Sequence, residues 1–137
     1  MISDLKLLNK SNVSVVVNTT DSLRVMQLKN SNCGINNFNF KNLFFDLDQS
    51  SLWLKQSGKE KTPVRVVSML VKNHSHVNCN DFQIDSMGIV FQNSQADFGI
   101  SINKISGSLS DSSRVYIQHF DEIALKKDAS SAINVND

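Results

Sequence analysis

The alternation of apolar and polar residues in the second half of the chain recurs with a nearly constant step. Val77, Ala96 and Val115 are 19 residues apart, and Ile133 follows 18 later. Cys79, Phe98, Ile117 and Val135 repeat these intervals two positions on, and Ser75, Ser94, Ser113 and Ser131 two positions before. Val71, Val90 and Leu109 read as a further column at the same spacing. Positions two apart on a strand face the same way, so the columns headed by Val77 and Cys79 point inward and the serines mark the preceding turn. A step of about 19 residues belongs to the repeat architectures, in which residues one repeat apart stack directly above one another. The Leu-x-x-Leu-x-Leu frame of leucine-rich repeats is absent. The pattern predicts an all-β chain of one domain, residues 1–137, folded as a parallel β-helix or β-solenoid with coils of about 19 residues.

The first half fits the same plan less regularly. Val13, Val15 and Val17, then Leu23, Val25 and Leu28, form short β-branched or apolar runs broken by Asn, Asp, Ser and Thr, which read as strands and turns. Residues 30–42 are rich in Asn and read as turn chemistry, with Phe38 and Phe40 alternating inside them. Residues 43–54 form two alternating runs around Asp48-Gln49-Ser50. Aligning Leu52 with Val77 gives a step of 25, and the excess falls on the charged stretch 56–62, read as an exposed loop closed by Pro63. Residues 120–127 have a helical flavour, but their repeat-mates are strand-like, so they are read as strand and loop.

Composition narrows the picture. The formal charge is +1 with no block of either sign, which argues against nucleic-acid binding, since that needs a basic stripe. No apolar run reaches the ~18 residues of a membrane-spanning helix. The opening Met1-Ile2-Ser3-Asp4 carries no export leader, which fits either a cytoplasmic protein or a mature segment whose leader was removed. Cys33 and Cys79 could form at most one bridge, but Cys79 shares a column with Phe98 and Ile117, which favours a buried free thiol.

Each candidate for chemistry competes with a plainer reading. His74, His76 and Cys79 are metal-ligand types, and on a strand both histidines would share a face; Cys79, an odd number of residues away, would face the other side, and two solvent-exposed turn histidines are the plainer reading. His119, Asp121 and the many serines could be assembled into a hydrolase site, but no Gly-x-Ser-x-Gly elbow accompanies them. Asp81, Asp85, Asp97 and Asp111 could supply a carboxylate pair for glycoside cleavage, or simply solvate turns. The Asn-x-Ser/Thr triplets at Asn9, Asn12, Asn18 and Asn73 follow from an Asn- and Ser-rich composition. Trp53, flanked by the inward Leu52 and Leu54, faces outward and with Tyr116 could stack on a sugar or form an interface. The residues assign no catalytic, cofactor-binding or metal-binding position and no cofactor.

Gln49-Ser50-Ser51-Leu52-Trp53-Leu54, then Pro63-Val64-Arg65-Val66-Val67, Leu70 and Asp111-Ser112-Ser113-Arg114-Val115 resemble the GIN-domain family, the auto-transporter adhesin head domains. The resemblance spans residues 13–135 and lies in the rhythm Leu-x-Leu, Val-x-Val, Leu, Ser-x-Val. It implies a right-handed parallel β-helix in the bacterial periplasm, on the outer membrane surface or secreted. It also implies a non-enzymatic adhesion or assembly module whose partner is a surface glycan, a protein or another copy. A carbohydrate-binding or polysaccharide-lyase-like β-helix is the alternative. Only Ser106-Gly107-Ser108 matches the Ser-Gly-Ser turns that the family favours.

Overall fold

The computed structural model describes residues 4–8, 12–16, 25–36, 42–56 and 63–135, with side chains described from 28 onward and not at 36. Its strands are β1 (Asp4–Leu8), β2 (Asn12–Val16), β3 (Val25–Lys29), β4 (Asn32–Asn36), β5 (Asn42–Asp48), β6 (Ser51–Lys55), β7 (Val64–Lys72), β8 (His76–Gln92), β9 (Gln95–Ser110), β10 (Arg114–Lys127) and β11 (Ala132–Val135). Every pairing between them is parallel.

The pairing makes a two-walled solenoid. β8 pairs with β6 through residues 76–80 and with β7 through residues 84–92, so it bends from one wall to the other. β9 and β10 follow it around the same bend. The first wall therefore contains β2, β4, β6, the opening segments of β8, β9 and β10, and β11. The second contains β1, β3, β5, β7 and the closing segments of β8, β9 and β10.

Between the walls lies one apolar core of stacked columns. Cys33, Leu52, Val77, Ala96 and Val115 form one, ending on the partly buried Ile133; Ile35, Leu54, Cys79, Phe98 and Ile117 form the next, ending on Val135. Both columns match the spacing of the sequence. On the second wall the column is Leu28, Leu47, Val71, Phe91 and Leu109, and Val90 is not in it: Val90 pairs with Leu70, faces outward and is 47% exposed. The step there is 20 from Val71 to Phe91 and 18 from Phe91 to Leu109. The bend of β8 holds one more residue than that of β9, with Asp81 left-handed, while the turn after β8 is one residue shorter than the turn after β7. The two differences cancel on the first wall and displace the second.

Two further expectations change. Residues 30–42 are not all turn, because β4 runs through Asn32–Asn36 with β2 on one side and β6 on the other. Burial of Cys33 and Ile35, with ladder bonds on both edges, outweighs the weak strand preference of Asn. Gln56 is buried, so the stretch expected to be exposed from 56 is not exposed at its start. Phe38, Phe40 and residues 57–62 lie outside the described residues. Residues 120–127 are strand, as their repeat-mates are.

The coil-to-coil turns are locked by a ladder of buried serines: Ser31, Ser50, Ser75, Ser94, Ser113 and Ser131. The Oγ of Ser50 accepts the amide of Ser31 at 3.1 Å, and the same bond links Ser75 to Ser50, Ser94 to Ser75, Ser113 to Ser94 and Ser131 to Ser113. From Ser31 to Ser113 each hydroxyl also donates to a carbonyl of its own turn, at 2.7–3.0 Å. A polar column is tolerated inside the fold because both capacities of the hydroxyl are used. Turns with one left-handed residue (Asn30, Gln49, Asn93) place the accepting carbonyl two residues before the serine. Turns with two (Asn73 and His74, Asp111 and Ser112) place it three before. Asn and Asp tolerate that conformation best, which explains their abundance beside the serines.

Candidate functional site

The outward positions of the first wall alternate with the core columns and form columns of their own. The central one runs Gly34, Trp53, Asn78, Asp97, Tyr116 and Asn134. Trp53 is 46% exposed and Tyr116 37%, large fractions for aromatic side chains. Three inter-strand steps separate them, about 14 Å at the usual spacing. Gly34 leaves open space on one side of Trp53. Between the rings lie the amide of Asn78 and the carboxylate of Asp97, with His76, Gln95 and Arg114 in the column toward the turns. On the other side the Asn80 side-chain amide donates to that of Asn78, and Lys55 pairs with Asp81 at 3.7 Å. A shallow recess of about 370 Å³ continues from this corner along the bend, lined in part by Asp81, Gln83, Ser101 and Gln118.

The strands of this wall pair in unbroken register, and those between β2 and β11 are hydrogen-bonded on both sides. Its chemistry is mixed: two aromatic faces for apolar contact, with amides, a carboxylate and a guanidinium between and beside them. That combination suits a ligand with an apolar face and a rim of hydroxyls.

The other candidates are not brought together. His74 sits in a turn at φ 62, not on a strand, and its Nε2 lies 3.2 Å from Asn93 Nδ2. His76 opens β8 on the outward side, whereas Cys79 is buried in the core, so the three cannot share an ion. Among the described residues no three His, Cys, Asp or Glu side chains converge on one point. Cys33 and Cys79 are free and buried; burial pushes the Cys33 thiol up to about 11 and raises Cys79 further, with the charge of Asp97 adding to the effect.

His119 Nε2 lies 3.3 Å from Asp121 Oδ1, both side chains more than half exposed, near the bend. The buried serines lie along the opposite edge with their hydroxyls engaged, which removes them as partners for His119. Of the carboxylates, Asp81 is held by Lys55, Asp85 accepts from Asn103 at 3.3 Å, and Asp111 accepts from Gln92 at 3.1 Å. They are spread over the bend, the second wall and the turns, and Asp97 stands apart in the outward column of the first wall.

Trp53 was legible from its apolar neighbours. Asn78, Gln95 and Arg114 were not singled out, although each lies one position from an inward column and that parity places it outward. Compared with protein-family models, curated proteins and solved structures, the chain matches none.

Proposed function

We propose that this chain is a non-enzymatic binding module of the bacterial envelope or surface, related to the GIN-domain family, that holds a surface glycan on the outward face of its first wall. The observation that carries the reading is the placement of two exposed aromatic rings in one column with amide and carboxylate side chains between them. Pyranose rings present C–H faces that stack on aromatic rings, and their hydroxyls pair with amides and carboxylates. The rings, about 14 Å apart, would engage separate sugars of one extended chain running along the solenoid axis. Scattered carboxylates on an open surface suit binding better than cleavage, which needs an acid and its partner across a cleft.

The test is a glycan-array screen of the chain, followed by titration of each hit against Trp53→Ala and Tyr116→Ala. Both variants should lose binding at least tenfold, about 1.4 kcal/mol, with an unchanged circular dichroism spectrum. A chain that binds no glycan, or hits that ignore both substitutions, would defeat the proposal.

A further inference from the structure

We infer that copies of this chain stack head to tail, the β10–β11 end of one seating on the β1–β2 end of the next. The argument starts from the order in which the chain visits its walls. β1 belongs to the second wall and pairs with β3, whereas β2, on the first wall, pairs with β4. At the other end the closing segment of β10, on the second wall, pairs only with β9 among the described strands, while β11 adds one more strand to the first wall. One end is thus a strand longer on the second wall and the other a strand longer on the first. The two steps fit together in one polarity.

The end carrying β11 is also apolar. The core columns run out on Ile123, 40% exposed, and Val135, 41% exposed, with Phe120, Leu125 and Ile133 only partly buried. Repeat proteins that remain monomeric normally close such an end with polar capping residues. Charges do flank this strand at Asp121, Glu122, Lys126 and Lys127, but none covers Ile123 or Val135 among the described residues. Among the described strands the closing segment of β10 and β11 have no partner on their outer edges, nor do β1 and β2 on theirs, and strands with such edges can pair in parallel as every strand here does.

Register then selects a second copy as the occupant. Leu5 stands at the register position of Met26, in the column that leads through Phe45, Met69 and Ile89 to Gly107 and Leu125. Val13 and Val15 stand at those of Cys33 and Ile35, in the columns that end on Ile133 and Val135. Continuing each column by one strand sets Leu5 of the next copy beside Leu125, Val13 beside Ile133 and Val15 beside Val135. Two like ends could meet only through antiparallel pairing, whereas unlike ends continue the parallel ladders and the apolar columns of the coils within the chain. A contact between unlike ends does not close on itself, so the product is a linear stack.

The experiment mixes full chains carrying Asn134→Cys with full chains carrying Ser14→Cys, two positions of one outward column that stacking makes neighbours. Adjacent strands hold Cα atoms at a separation a disulfide can span, and the buried thiols of Cys33 and Cys79 do not compete. The expected product under mild oxidation is the mixed dimer, together with concentration-dependent growth of the wild-type chain in sedimentation. Ile123→Lys, at an exposed position, is expected to abolish both while leaving the circular dichroism spectrum unchanged. Like-with-like disulfides in place of the mixed one, a wild-type chain that stays monomeric at every concentration, or stacking that ignores Ile123→Lys would each overturn the inference.

Discussion

Replacing Ser94 by Ala removes one rung of the serine ladder and nothing else of comparable size. In the native chain Ser94 Oγ accepts the Ser75 amide at 3.2 Å and donates to the Gln92 carbonyl at 3.0 Å. The carbonyl keeps a partner after the substitution, because the amide of Asn73 also donates to it at 3.1 Å. The backbone of residue 94 still donates to the Ser113 hydroxyl and accepts from the Arg114 amide. The Ser75 amide alone is left without an acceptor, at a site where Ser75 and Ser94 are 1% and 2% exposed. A buried, unsatisfied donor costs about 1–3 kcal/mol, and the space left by one hydroxyl oxygen is too small for water to substitute. Urea denaturation should therefore show a loss of about 2 kcal/mol with an unchanged m-value. Amide exchange should accelerate most at Ser75. Ser112→Ala is the control: Ser112 is exposed and should change stability by less than about 0.5 kcal/mol. Equal losses in the two variants, or a Ser75 amide as protected in Ser94→Ala as in the wild type, would refute the ladder as a source of stability.

Val115→Asp puts an unpaired charge into the stacked core and should cost about 3–5 kcal/mol, whereas Val90→Asp, which a strict spacing of 19 would also place inside, should cost under about 1 kcal/mol in the same assay. Gly107→Ala should cost about 3 kcal/mol or more, because φ is +130° and a Cβ would sit 1.7 Å from the Ile89 carbonyl oxygen; a thermal melt within a degree of wild type would contradict this. Asp128 is held below the ordinary carboxylate range by hydrogen bonds, first from Ser131, then from the Asp111 amide at 2.9 Å and from Ser130. A depressed folded value stabilises above the unfolded one, about 3.9, and the contribution disappears as pH falls through the folded value. The stability difference between wild type and Asp128→Asn should thus be full at neutral pH and vanish in acid, and a difference independent of pH would disprove the linkage.

The first wall could be read from the sequence because the number of residues between equivalent positions is constant there. The second could not, because that number depends on where each coil keeps its extra residue. Moving one residue from turn to bend shifts Phe91 into the column and Val90 out of it, a change invisible to spacing alone. Four ladder serines were legible for the same reason, while Ser31 and Ser50 were masked by the 25-residue step and the Asn-rich stretch. Trp53 was placed outward by parity. Its neighbourhood with Asn78, Asp97 and Tyr116 emerges only when register is known, since those residues are far apart in the chain. Of the two histidines read as exposed turn residues, His74 does occupy a left-handed turn, whereas His76 is half-buried at the start of β8.

The ladder also divides the molecule into a spine and a margin. Along the turn edge every coil must present a serine at the same height, so length there varies by only one or two residues. At the bend edge no such constraint operates: β8 carries an added residue beside β9, and more residues separate β6 from β7 than either of those bends holds. Segments of differing length and sequence can be spliced in along the margin without disturbing either wall, so diversification of this scaffold is confined to one side of it.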